Sequence, residues 1–327
     1  MPITTTKSIG SGGDYTTLQA WEDAAPANLV TSDEIWRGEI KASFSFTTSN
    51  ANAVTIAGST ADATRYKELT VEAGGAWCDN TANALTFDSS KGAYISVAQG
   101  YSTVIDVNEN YARLSRLQIE ALSNSGRCLW ARNTGVILRD LVVKAFRTPI
   151  ETDPATLVNC LSMITSSNGY AGIQMNGASA AYNCGSVAVH ASGSSSVGIN
   201  GGYPSGQVRT NCWSYGFTTG FNSHASITHT TCRSSGSESI SGVTTGLTSA
   251  AFVATNPGGA ATTWNLKVAS TSSVLYDNGT TYSGASPDPY GTSRPQGSAY
   301  DIGAHELAAA APSFRPSRVD FFPHLAM

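Results

Sequence analysis

Four times between residues 157 and 236 the chain returns to one short phrase: Val158-Asn159-Cys160-Leu161-Ser162, Tyr182-Asn183-Cys184-Gly185-Ser186, Thr210-Asn211-Cys212-Trp213-Ser214 and Thr230-Thr231-Cys232-Arg233-Ser234. The cysteines lie 24, 28 and 20 residues apart. A period of that size, varying by a few residues, is what a solenoid produces when each repeat is one coil and surface loops absorb insertions. The repeat therefore decides the architecture: stacked coils, each burying its apolar side against the next.

The composition agrees with short strands and tight turns. Only 13% of the 327 residues are charged and 32 are glycine, whereas helices favour Glu, Lys, Leu and Gln. A formal net charge of −4 gives no basic stripe, so no nucleic-acid partner is expected. No apolar run reaches the roughly 18 residues that a spanning helix needs, so no membrane insertion is expected. The opening Met1-Pro2-Ile3-Thr4-Thr5-Thr6-Lys7 lacks the charged and then apolar pattern of a signal peptide, and folding in the cytoplasm is the expectation. The six cysteines then read as buried free thiols rather than a disulfide framework.

The segment Ser8 to Ala24 holds a glycine turn followed by a helical period. Leu18, Trp21 and Ala24 share one face, with Asp14 or Thr16 as N-cap, which suits a short helix over the open end of the solenoid. Strand-like runs follow at Glu34–Lys41, Ala53–Ala57, Glu68–Glu72, Ala93–Ala98, Ser115–Ala121 and Ile137–Ala145. Leu69, Ile95, Leu117, Leu141 and Cys160 fall about one coil apart and are expected to continue the cysteine column as core. If the thiols point inward, alternation sends Val158 and Ser162 inward with them. Asn159, Asn183 and Asn211, continued by Thr231, are expected to form a turn ladder of side-chain hydrogen bonds.

The opening turn with Asp14-Tyr15-Thr16-Thr17-Leu18, the degenerate coils, and the closing run Arg294-Pro295-Gln296-Gly297-Ser298-Ala299-Tyr300-Asp301-Ile302-Gly303-Ala304-His305-Glu306 resemble parallel β-helix proteins of the pectin-lyase-like class, in bacterial and phage form, over about residues 8 to 307. The resemblance implies an all-β fold, a single right-handed parallel β-helix. Residues 1–30 would be the N-terminal segment and capping helix, 31–250 the coils, 251–307 the C-terminal closure and 308–327 a tail arm. It also implies that Arg294, Asp301 and Glu306 close the C-terminal end, one arginine bridging two carboxylates. It says little about chemistry, because this fold carries enzymes, adhesins and passive virion parts alike.

Cleavage of a polysaccharide would need paired carboxylates or a basic residue with a charge-neutralising partner. The candidate acids are Asp106, Glu109, Glu120, Asp140, Glu151 and Asp153. Glu120 and Asp140, one period apart, are the pair that adjacent coils would bring together, and Arg139, Lys144, Arg147 and Arg65-Tyr66-Lys67 are the candidate bases. No local motif joins them. His190, His224, His229, His305 and His324 have no cysteine or acid at metal-ligand spacing, and Gly-x-Ser-x-Gly is absent, so no metal and no cofactor are expected. With Cys212 inward, Trp213, Tyr215 and Phe217 project outward on one strand, beside Leu161, Met163, Val187 and Val189 of earlier coils. A contiguous apolar wall implies a partner: a subunit interface, a sugar-stacking platform, or the chain's own C-terminal segment, the first being preferred. In the tail, Phe314, Arg315, Arg318, Phe321 and Phe322 are expected to anchor the protein to partner subunits.

The resulting expectation is a non-catalytic bacteriophage virion protein, a head decoration, spike or small adhesin. It would be a homotrimer in contact with other virion proteins, exposed after lysis and touching host surface carbohydrate. The alternatives are a polysaccharide lyase or glycosidase and a non-catalytic glycan-binding adhesin.

Overall fold

A computed structural model describes residues 1–42, 45–48, 52–98, 103–122, 127–166, 170–190, 194–202, 206–222 and 226–309. The chain winds as a parallel β-helix with three faces, here called A, B and C in the order each coil visits them. Face A stacks nine strands: Ile3–Ile9, Glu34–Ile40, Lys67–Val71, Arg113–Ser115, Val136–Arg139, Ala155–Val158, Ala180–Tyr182, Gln207–Thr210 and Ile227–Thr230. Face B stacks nine, running from Ser45–Thr48 and Tyr94–Val97 through Gln118–Ala121, Val142–Ala145, Leu161–Ile164, Gly185–Ala188, Trp213–Tyr215 and Cys232–Ser234 to Val243–Thr244. Face C stacks seven: Val54–Ala57, Ile105–Asn108, Arg127–Ala131, Thr148–Thr152, Ala171–Met175, Ser194–Gly201 and Phe217–Phe221. Every ladder within the three faces is parallel. The all-β coil architecture expected from the repeat is what the chain adopts.

The corner between faces A and B explains the repeated phrase. Arg116, Asp140, Asn159, Asn183, Asn211 and Thr231 all have φ between 50° and 62°, the left-handed conformation that asparagine and aspartate tolerate best. One such residue turns the chain sharply. The continuous strand expected over Ile137–Ala145 is therefore two strands, Val136–Arg139 and Val142–Ala145, broken at Asp140.

The next residue, at 117, 141, 160, 184, 212 and 232, points into the core. Leu117, Leu141 and the four cysteines are at most 1% exposed and all six cysteines are free thiols. Leu69 and Ile95 do not join this column. Leu69 pairs in register with Leu114 on face A, and Ile95 with Ile119 on face B. The left-handed residue also resets the alternation: Ser162 faces inward, its hydroxyl donating to Gly172 O at 2.6 Å, but Val158 shares its register with Arg139 and Tyr182 on the outer side of face A.

The N-terminal end is covered by α1 (Leu18–Asp23), capped by Thr17 rather than Asp14 or Thr16. The Asp14 carboxylate instead accepts from Ser8 N at 2.8 Å. A second short helix, α2 (Leu29–Ser32), follows. Trp21 of α1 lies against Gly38, where any Cβ would come within 2.6 Å of the indole. Glu22 is tied into the coils by the fully buried Lys67, whose ammonium reaches Glu22 Oε1 at 2.7 Å, Glu109 Oε2 at 2.9 Å and Ala57 O at 2.7 Å.

Inside face A the core column runs Leu69, Leu114, Leu138, Leu157, Ala181 and then Arg209 and His229. Arg209 is fully buried and donates to Ile199 O at 3.0 Å and to Asn222 Oδ1 at 3.3 Å. Burial pushes its pKa down to about 10. Backbone carbonyls and side-chain carboxamide oxygens rather than a carboxylate accept from its two Nη groups, while its Nε has no acceptor among the described residues.

Candidate functional site

The apolar wall predicted from Trp213 and its neighbours is the outer side of face B, and the chain covers it itself. Leu161, Met163, Val187, Val189 and Trp213 are at most 5% exposed. Trp213 packs on Phe252 with ring centroids 4.8 Å apart, and Tyr215 lies against Phe252 and Trp264 at 5.5 and 6.4 Å. Met163 Sδ accepts from Phe87 N at 3.4 Å, and Gly258 N donates to Val189 O at 2.8 Å. Gly185 leaves the space into which the Trp213 indole lies, since a Cβ there would meet the ring at 2.3 Å. Phe217 is not on this wall at all. It opens the face C strand Phe217–Phe221 and packs with Ile164 and Ala188. The expected subunit interface on these residues is thereby corrected: a large apolar face needs a cover, and residues of the segments around Phe87 and 252–264 supply it.

Residues 275–307 are held along the left-handed column. Asn159 Nδ2 donates to Asp140 Oδ1 at 2.9 Å and to Pro287 O at 3.2 Å. Asn211 Nδ2 reaches Asn183 Oδ1 at 3.2 Å and Thr280 O at 2.6 Å, while its Oδ1 accepts from Thr280 N at 2.7 Å. Arg294 then fixes the closing run, with Nη1 on Glu306 Oε2 and on Asp301 O, both at 3.2 Å, and Nη2 on Gly303 O at 3.0 Å. It engages one carboxylate, not two. The Asp301 carboxylate instead accepts from Asp277 N at 2.8 Å and Leu307 N at 2.7 Å, and burial pushes it up to about 6. These acids are committed to holding the chain.

Glu120 and Asp140 are not a pair. Asp140 sits at the A–B corner on Asn159, pushed up to about 6 by burial. Glu120 lies four positions along, in register with Lys144, and its carboxylate is taken by the Lys144 ammonium and by Ser96 Oγ. Beside it is an open cleft of about 310 Å³ lined by Lys144, Phe146, Thr165, His190 and residues 258–261. His305 Nδ1 accepts from Val268 N at 3.2 Å, and burial lowers its pKa to about 3. His229 faces the lumen and is lowered to about 4, by burial first and then by Arg209. His224, His324 and the tail residues Phe314, Arg315, Arg318, Phe321 and Phe322 lie outside the described residues. Among the described residues, no three His, Cys, Asp or Glu side chains converge as a metal-binding set.

The outer side of face C brings together three of the candidate acids, Asp106, Glu151 and Asp153, in a constellation that sequence reading did not assemble. Pairing in register places Thr55, Asp106, Trp130, Glu151, Gln174 and Asn200 in one row across consecutive coils. Arg132, Asp153, Asn176 and Gly202 follow two positions on, their amide nitrogens continuing the same ladder. The row holds two hydrogen-bonded groups, Asp106 with Arg132 and a chain from Arg127 to Asn200, on either side of Trp130. Arg132 grips both oxygens of Asp106, with Nε on Oδ1 at 3.1 Å, and Arg127 holds Glu151. Asn176 Nδ2 donates to Glu151 Oε1 at 3.3 Å, Gln174 Nε2 to Asn176 Oδ1 at 3.0 Å and Asn200 Nδ2 to Gln174 Oε1 at 2.7 Å. Trp130, half-buried, has the guanidinium of Arg127 at 4.3 Å and that of Arg132 at 4.0 Å from its ring. Its indole Nε1 has no acceptor among the described residues. Such a face offers planar donors and acceptors beside an aromatic edge and stays partly open to water.

No protein-family model matches the chain, and no curated protein or solved structure matches it either.

Proposed function

We propose that this chain is a non-catalytic glycan-binding β-helix, displayed on a bacteriophage particle as an adhesin or decoration. The observation that carries the binding reading is the face C row. Carboxylate, guanidinium, indole and carboxamide groups stand in register over consecutive coils, the kind of polar and aromatic lining that orients a hydroxyl-rich ligand. Asp106 and Glu151 flank Trp130 two strand spacings apart, roughly 10 Å, slightly beyond the separation of an inverting glycosidase. Each, however, already has both oxygens engaged, Asp106 by Arg132 and Glu151 by Arg127 and Asn176, so neither stands free to meet a glycosidic oxygen or a water. The virion setting rests on the resemblance of the closing run to phage β-helix proteins. With it we propose a homotrimer held by tail residues Phe314, Arg315, Arg318, Phe321 and Phe322 rather than by the face B wall.

Glycan-array screening of the full chain tests the first part. Retained glycans should be lost with Trp130→Ala while the circular dichroism spectrum is unchanged, and no reducing ends should appear on incubation. Released reducing ends would favour the glycosidase reading, and an empty array would end the binding one. For the assembly, light scattering should give a trimer for the full chain and a monomer for a chain ending at residue 309.

A further inference from the structure

The ligand class can be narrowed, resting on the glycan-binding reading of face C. We infer that the row selects an uncharged glycan and discriminates against uronate or sialate polymers. An acidic sugar is bound by an available cation, and the row's two cations are already engaged. Arg132 makes a two-point contact with Asp106 and Arg127 pairs with Glu151, and both guanidinium groups also lie over Trp130. Freeing either would strand a carboxylate and uncover the indole together. The third acid, Asp153, is exposed and forms no ion pair among the described residues, so the row's three acids and two guanidiniums carry a net charge of −1.

The rest of the row is neutral. Gln174, Asn176 and Asn200 provide only carboxamides, which donate to and accept from hydroxyl and acetamido groups alike. Arg147, just before the Thr148–Thr152 strand of this face, is stacked on Tyr170 at 3.6 Å. From the Ile105–Asn108 strand to the Phe217–Phe221 strand the row crosses five interstrand spacings, roughly 24 Å. That length suits an oligosaccharide lying along the coil axis, each unit meeting the next coil.

The test is calorimetric titration of the full chain with two sets of probes. The neutral set is dextran, galactan and chitin oligosaccharides, and the acidic set is oligogalacturonate, oligoalginate and oligosialate. A neutral oligosaccharide should bind at least about tenfold more tightly than every acidic one, the effect of one uncompensated charge at this range. Raising salt from 50 to 300 mM should leave neutral affinity unchanged, and Asp153→Asn should improve acidic binding only. Preferential acidic binding that salt weakens, or that Arg127→Ala, Arg132→Ala or Arg147→Ala abolishes, would overturn this inference while leaving the glycan-binding reading intact. Absence of binding to either set would overturn both.

Discussion

Asn211 is where the corner chemistry and the closing segment meet, so its replacement gives a quantitative test of the column. The side chain is fully buried and takes part in four hydrogen bonds: to Asn183 Oδ1 at 3.2 Å, to Thr280 O at 2.6 Å, from Thr280 N at 2.7 Å and from Thr231 Oγ1 at 2.5 Å. At about 0.5–1.5 kcal/mol net for each bond, removal costs roughly 2–6 kcal/mol. Alanine must also be held at φ 54°, about 1–2 kcal/mol more, a penalty that glycine escapes. Asn211→Ala should therefore loosen the closing segment by roughly 3–8 kcal/mol and Asn211→Gly by about 1–2 kcal/mol less.

Because a solenoid opens by units, the measurement should be local. Hydrogen exchange can be read at Ile302 N, bonded to Leu275 O at 2.8 Å, and at Leu307 N, bonded to Asp301 Oδ2 at 2.7 Å. Neither amide touches Asn211. Exchange there should accelerate about a thousandfold in the alanine variant. Acceleration below about tenfold, or a glycine variant no better than alanine, would refute the anchoring role or the backbone term respectively.

Three further outcomes follow from the packing. The Asp140 carboxyl is raised to about 6 by burial, so its contribution to stability is complete below about pH 4 and lost as pH rises through 6. Asp140→Asn keeps an acceptor for Asn159 and suits the left-handed corner, and should stabilise the protein by roughly 2 kcal/mol at pH 7.5, a figure reduced for partial exposure, with no gain at pH 4. A urea titration showing destabilisation at pH 7.5 would count against it. Trp213→Ala should cost roughly 3–5 kcal/mol and make residues 247–268 protease-sensitive, an unchanged digestion pattern being the contrary result. Lys67→Met should strand the buried Glu22 and Glu109 carboxylates at a cost of roughly 3–5 kcal/mol and release α1, seen as rapid exchange of the Trp21 amide; retained protection there would show that apolar packing alone holds the cap.

The sequence made the coils legible because Asn-Cys is a chemically narrow solution: a left-handed corner followed by a small inward side chain, restated on successive coils. It misled at Leu69 and Ile95, because any inward leucine or isoleucine fits a period of about 24 residues whichever face it occupies. The face C row was hidden for the opposite reason. Asp106, Trp130, Glu151, Gln174 and Asn200 share a register but no residue type, so repetition could not mark them. The signal that was available lay in counting: each stands on the second strand after a cysteine-type corner or its equivalent, facing opposite to an inward Ile105, Leu129, Ile150, Ile173 or Ile199.

The wall on face B shows why an outward apolar residue in a solenoid is ambiguous until the non-repeating part of the chain is placed. Most of its cover, residues 252–264, follows the last coil, and the segment that comes next, residues 280–301, is anchored on Arg139, Asn159, Asn183 and Asn211, drawn from four successive coils. Contacts of that sequence separation, up to 145 residues, cannot offset their loop-closure entropy until the coils that present the anchors are already stacked. The closing segment is therefore the last part to settle. Before it does, Trp213, Leu161 and Met163 stand exposed together, so the same wall that the finished protein conceals is the surface most prone to association while the chain is folding.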